Sequence, residues 1–146
     1  MALNLRYLGA WANRTESAIE IQTNRLTKRV ANEVLKSLVT TTPVDTSKAL
    51  SNWRVSVKGR RTTKSISAHI KGFAGSTRAA SAAIAISTGS GVIASREAKK
   101  TIHITNNLPY IEGLDNGTIS LQPSGFVAKA LIIGNAEARA FKWILK

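Results

Sequence analysis

Residues 15–39 carry apolar side chains on two nearly opposite sides of a single helical run, and that sets what the chain can fold into. Ile19, Leu26, Val30, Val34 and Leu38 recur at helical spacing as one drifting stripe. Ile21, Leu35 and Val39 lie nearly opposite. A helix apolar on two faces needs two partners, and one of them is a candidate for a second subunit. Thr15 is the expected N-cap, with Glu16 in the first turn and Lys36 near the last, the charge order that suits the helix dipole. Thr40-Thr41-Thr42-Pro43 then stops the helix with β-branched residues and a proline.

Beyond it, Asp45 or Thr46 is expected to cap one short helical turn. Trp53, Val55 and Val57 alternate with Arg54, Ser56 and Lys58, the period of a half-buried strand. Gly59-Arg60-Arg61-Thr62-Thr63-Lys64 reads as a basic hairpin tip. Ile66, Ala68 and Ile70 alternate with Ser67, His69 and Lys71 as the returning strand. Residues 72–98 form an insertion rich in Ala, Ser, Gly and Ile. Ser76 is placed as the cap of a helix from about Thr77 to Ser87, Thr88-Gly89-Ser90-Gly91 as a break, and Val92 to Lys99 as resumed helix. Because small side chains bury little surface, this insertion is expected to be ordered mainly against neighbours.

Thr101-Ile102-His103-Ile104-Thr105 is a third alternating strand, and Tyr110 to Leu114 a turn of helix. Asp115-Asn116-Gly117 signals a turn, and Thr118 to Gln122 a short edge strand. From Ser124 the chain reads as helix to its end, with Phe126, Val127, Ala130, Leu131, Ala138, Phe141 and Leu145 on one broad face and Glu137 on its shoulder, a candidate for an inter-element or inter-subunit ion pair. The fold class is α+β: long N-terminal and C-terminal helices on a small, mostly antiparallel sheet of three to four strands, with an Ala/Ser-rich helical insertion. At 146 residues this is one domain, 1–146.

Charge narrows the partners. The chain carries +13, and no acidic residue falls between Thr46 and Arg96. That stretch holds nine cations, so an anionic surface, nucleic acid or acidic protein, is expected opposite. Arg54, Lys58, Arg60, Arg61, Lys64 and Lys71 form the candidate basic interface. Few aromatics interleave with them, so backbone charge is the expected contact rather than stacked bases. A solvated basic face is the plainer alternative.

The chemistry of catalysis finds little to work with. Without cysteine there are no disulfides, no thiol nucleophile and no cysteine-ligated zinc, as suits a chain made in a reducing cytosol. The N-terminal residues do not read as an export signal, and no window approaches the roughly 18 apolar residues of a spanning helix. The eight carboxylates are scattered; Glu112 and Asp115, three apart, read as a local ion pair or cap. His69 and His103 fall on the polar phase of strands with no carboxylates beside them, a poor metal site. Thr88-Gly89-Ser90-Gly91 lacks the lysine of a phosphate-binding loop. No catalytic, cofactor-binding or metal-ligating residue is assigned, and no cofactor is expected.

Three segments together resemble a known family. Thr42-Pro43-Val44-Asp45-Thr46-Ser47-Lys48-Ala49-Leu50-Ser51-Asn52-Trp53 is similar to the "TPVDTG-x-L-x-x-SW" box of tailed-bacteriophage neck and tail-completion proteins. Ile102 through Tyr110, with Asn106-Asn107-Leu108-Pro109-Tyr110 at its end, resembles that family's "I-x-I-x-NNLPYA" segment. Leu114-Asp115-Asn116-Gly117 followed by Gln122-Pro123-Ser124-Gly125-Phe126-Val127 is similar to its "LE-x-G … x-P-x-G-hydrophobic" continuation. Order and spacing agree over roughly residues 15–145. Two positions depart: Ser47 stands where glycine is usual, which leaves the shape of that turn open, and Asn116 replaces an aromatic.

The resemblance implies a structural virion protein of the phage neck, assembled in the host cytoplasm and joining head to tail as an oligomeric ring around the DNA channel. Implied partners are further copies of the chain, the adjoining connector, adaptor and tail proteins, and non-specifically the genomic DNA. The alternative is a basic nucleic-acid-binding or DNA-packaging accessory protein. Residues 1–14, with Leu3, Leu5, Tyr7, Leu8 and Trp11, read either as an arm that docks on a neighbour or as a helix extension packed on its own subunit. Leu5, Tyr7, Trp11, Ile21, Leu35 and Glu137 are the candidate oligomer contacts.

Overall fold

The computed structural model describes residues 5–119 and 125–144, with side chains from residue 9 onward. In chain order the elements are α1 (Leu5–Thr41), α2 (Lys48–Ser51), β1 (Arg54–Ser56), α3 (Arg78–Ala94), β2 (His103–Thr105), α4 (Ile111–Asn116) and α5 (Phe126–Ala140). The fold is α+β and mostly helical. α3 and α5 pack on α1, and β1 pairs antiparallel with β2 in the register Arg54 to Thr105, Val55 to Ile104 and Ser56 to His103.

Toward its C-terminal end α1 finds partners for both apolar faces inside the chain, while Ile19 and Ile21 stay exposed. Leu35 and Val39 are fully buried and share a core with Ala85 and Ile93 of α3. α5 runs antiparallel along α1, with Gly134 against Val34 and Val30, and Glu137 paired with Arg29 nearer the N-terminus. The expectation of a second subunit on one face is therefore corrected at Leu35. The stripe on α5 is also narrower than the broad face read from the sequence: Phe126, Ala130 and Gly134 are buried, whereas Leu131 is 59% exposed and Val127 is exposed as well.

The core closes around Trp53. Its indole Nε1 donates to Thr42 Oγ1 at 2.8 Å, and the Thr42 hydroxyl donates to the Leu38 carbonyl at 2.6 Å. Its ring meets Phe126 edge-on, with centroids 5.9 Å apart. One residue thus ties the last turn of α1 to the first turn of α5.

Several expected boundaries shift, each for a local reason. α1 begins by Leu5, and Thr15 is not a cap: its hydroxyl bonds back to the Trp11 carbonyl, as a mid-helix threonine does. Residues 5–14 are helical as an extension of α1, and the described side chains of residues 9–14 are all exposed rather than packed on the same subunit. Ser47, not Asp45 or Thr46, occupies the N-cap position of α2, and its hydroxyl bonds Thr77 Oγ1 instead of a backbone amide of the helix. Ser47 holds the left-handed conformation (φ 62), so the turn keeps a glycine-like backbone with serine in place. Asp45 instead accepts from the Ala74 and Gly75 amides, through its carboxylate and its carbonyl.

The returning strand over residues 66–71 does not form, and the sheet has two strands among the described residues. Side chains take the place of its ladder. Asn52 donates to the Ile66 carbonyl at 2.8 Å and accepts from the Ile66 amide at 2.7 Å, while Ser51 Oγ accepts from His69 N and Ser81 Oγ from Ile70 N. α3, with Thr77 rather than Ser76 as its cap residue, runs unbroken through Thr88-Gly89-Ser90-Gly91. A Cβ on Gly89 would collide with Leu35 Cδ2 and stand 3.0 Å from Val55 Cγ2. The glycine is therefore a packing device and not a hinge. Residues 72–98 include a core helix, with Ser81, Ala85, Gly89 and Ile93 buried.

Asp115, at the end of α4, accepts from Gly125 N through its carbonyl and from Val127 N through its carboxylate, so it caps α5. α5 ends at Ala140 and the backbone is extended at Phe141, so the helix stops short of the expected terminus. In the expected edge strand, Thr118 and Ile119 are not strand, and residues 120–122 lie outside the described residues, as do Pro123, Ser124 and Leu145.

The two glycines of the former hinge should respond oppositely to alanine. At Gly91 a Cβ meets nothing within 4 Å, so Gly91→Ala should raise the unfolding free energy by up to about 1 kcal/mol. Gly89→Ala should lower it by on the order of 1 kcal/mol, overpacking outweighing helix propensity. Urea denaturation of both variants checks this; a gain in both would contradict the close α1–α3 contact.

Candidate basic interface

The six expected cations fall on β1 and the irregular segment that follows it. Lys58, Arg60, Arg61, Lys64 and Lys71 are exposed, and Arg54 is half-buried. Arg54 Nη1 reaches the Lys64 carbonyl at 3.4 Å, and Ser56 Oγ donates to the Arg60 carbonyl. The segment is pinned to β2 from its other side. Thr62 and Thr105 hydroxyls bond at 2.6 Å, and Asn107 Nδ2 donates to the Thr62 carbonyl at 2.8 Å. Arg29–Glu137, Lys36–Glu33 and Lys99–Glu20 are the ion pairs among the described residues, so none of the six interface cations is neutralised there.

Electrostatically the exposed cations make this surface positive. His69, at the end of the segment, has its pKa lowered first by burial and second by the Arg54 charge. It therefore stays neutral and adds no cation until the solution is more acidic than usual for histidine. His103 lies in β2 opposite Ser56, whereas His69 is not on a neighbouring strand as expected. Burial raises the Tyr110 pKa, leaving a neutral phenol beside α4. Among the described residues no group of three or more His, Asp or Glu side chains is arranged to hold a metal, and no helix is long and apolar enough to cross a membrane.

The expected oligomer contacts divide. Trp11 and Ile21 stand 65% and 54% exposed on α1, accessible as a contact requires. Leu35 is fully buried under α3 and reaches no partner. Glu137 forms its ion pair with Arg29 of the same chain, the inter-element pairing. The Leu5 and Tyr7 side chains lie outside the described residues.

Two surfaces went unread in the sequence. Ile132 of α5 is 68% exposed beside Leu131, because the buried stripe of that helix is carried by the small residues Ala130 and Gly134. Arg96 is buried between α1 and the chain leaving α3, bonded to the Lys100 carbonyl and to Asn24 Oδ1. In the sequence it was one more cation in an acid-free stretch; only the proximity of Asn24 distinguishes it.

Compared with protein-family models, with curated proteins and with solved structures, the chain has no significant match.

The His69 environment yields a titration. Its NMR midpoint should lie below about 6.5, the ordinary value. Arg54→Ala should raise it only part of the way, since burial is the larger cause. Between the lowered and the ordinary value the unfolded chain holds more proton at this site, so His69 should make stability fall as pH drops through that window. A full return to the ordinary value in Arg54→Ala would reverse the order of causes.

Proposed function

We propose that the chain is a structural subunit of the tailed-phage neck, joining head and tail as an oligomeric ring around the DNA channel, without catalytic activity. The observation that carries this reading is the physical convergence of the three boxes on which the family resemblance rests. Asn106 of the second box donates to the Ala49 carbonyl of the first at 2.9 Å, and Arg54, directly after the first box, pairs with Thr105 of the second. Trp53 of the first box packs on Phe126 of the third. Residues far apart in the chain thus build one junction, as a shared fold motif requires.

The surface suits assembly. α1 first acquires a buried described side chain at Gln22, so its N-terminal turns project with Trp11 and Ile19 uncovered. Residues 5–24 set Arg6 and Arg14 against Glu16 and Glu20 and have no net charge. In a chain of +13 they are the part that meets another copy with least repulsion. Head-to-tail contacts of this kind close into a ring at a suitable rotation. The cations of residues 54–71 then face an acidic neighbouring protein or the DNA backbone.

Cryo-EM of the virion that contains this chain should show density for α1, α3 and α5 at the head–tail junction. Light scattering and duplex binding over a salt series provide the counter-test. A monomer that binds duplex tightly, with affinity falling steeply as salt rises, would be a nucleic-acid-binding accessory protein instead.

A further inference from the structure

Two grooves meet at Arg96, and Lys100 at the edge of the larger one also adjoins Lys58 and Gly59 at the start of the basic segment. The larger, about 530 Å³, has an aliphatic floor of Leu26, Val30, Val34, Ile102 and Ile104, with Lys99 and Lys100 beside it. The smaller, about 240 Å³, runs along α1 past Glu16, Ile19, Glu20 and Thr23, so its far end is acidic and the cationic part is the junction at Arg96 and Lys99. Arg96 and Lys99 line both.

Arg96 is 9% exposed, yet its hydrogen-bond partners are neutral: the Lys100 carbonyl, and the amide oxygen of Asn24. Among the described residues no carboxylate lies within ion-pair distance of it. A desolvated guanidinium held by neutral acceptors keeps its full attraction for an anion, because little water screens it. Lys99 holds a left-handed backbone (φ 65), disfavoured for a residue with a Cβ. Its ammonium stands 3.9 Å from Glu20, a loose pair that a closer carboxylate can displace.

We propose that this double groove docks an acidic, aliphatic segment of a partner protein. A carboxylate engages Arg96 and Lys99 where the grooves meet, and neighbouring aliphatic side chains cover the floor between Val30 and Ile102. Charge complementarity selects this occupant. A second copy brings +13 and eight carboxylates, of which Glu20, Glu33 and Glu137 are already paired. A nucleic-acid backbone supplies the anion but nothing to cover the aliphatic floor. The site stands whatever assembly the chain belongs to.

The test uses the full chain and a labelled peptide alternating Glu and Leu, at physiological salt. Comparison peptides replace Leu with Ser, or Glu with Lys. The Glu–Leu peptide should bind at least about tenfold tighter than either comparison, with NMR shifts centred on Val30, Arg96 and Ile102. Lys99→Gly keeps the fold, since glycine accepts the left-handed backbone, and combined with Lys100→Ser it should weaken binding about tenfold. Arg96→Gln should weaken it further, and Arg60→Ser with Arg61→Ser should leave it unchanged. Equal binding of the Glu–Ser peptide would reduce the effect to general attraction by a +13 chain and overturn the proposal. So would absence of binding, or dependence on Arg60 and Arg61 alone. Shifts at the groove caused by duplex DNA, or by raising the concentration of the chain alone, would assign it to those occupants instead.

Discussion

α3 and α5 come close to α1 because Gly89 and Gly134 remove the side chain at the points where the helices meet. A Cβ on Gly134 would stand 2.8 Å from Val34 Cγ2, much as one on Gly89 would press into Leu35. With both approaches made, the C-terminal half of the long helix is packed from two sides within the chain, around Leu35, Leu38 and Val39. The remaining elements are then positioned from this three-helix body. Trp53 reaches Thr42 at the end of α1 and Phe126 at the start of α5, and β1, to which β2 is paired, lies against α3 through Val55.

The small sheet contributes little of the order beside it. Short polar side chains carry backbone hydrogen bonds that a longer ladder would otherwise make. Asn52 is the clearest case, bonding both the amide and the carbonyl of Ile66 while it is 1% exposed. Asn106 bridges the Ala49 carbonyl and the Leu108 amide, and Asn107 holds Thr62. The buried Asn52 amide is used at both its oxygen and its nitrogen, which makes that position hard to exchange for another residue type.

Much of this was legible in the sequence, and the failures share a cause. The two-faced helix, the anchoring Trp53, β2, α4 and α5 all follow from periodicity and punctuation. The alternation of Ile66, Ala68 and Ile70 suggested a strand, but alternation reports which side chains are half-buried and not what their amides bond to. Gly89 suggested a break because the sequence does not reveal that Leu35 presses on it. Thr15 suggested a cap because a threonine inside a helix looks the same. For the interface, exposed cations were visible as an acid-free run, Trp11 as an apolar residue of the N-terminal segment, and Ile21 as an off-stripe apolar position. Arg96 was not singled out, since its burial depends on Asn24, 72 positions earlier in the chain.

The segment between β1 and α3 differs from a hairpin in one way that bears on variation. In a paired ribbon, one added residue reverses the facing of every side chain that follows. Here the fastenings are single points, Ile66 on Asn52 and Thr62 on Thr105, and Lys58, Gly59 and Arg61 between β1 and Thr62 are not among them. The tip can therefore lengthen, shorten or change its charge without re-registering the body. Such a tip can track a changing partner through descent while the three-helix frame stays constant.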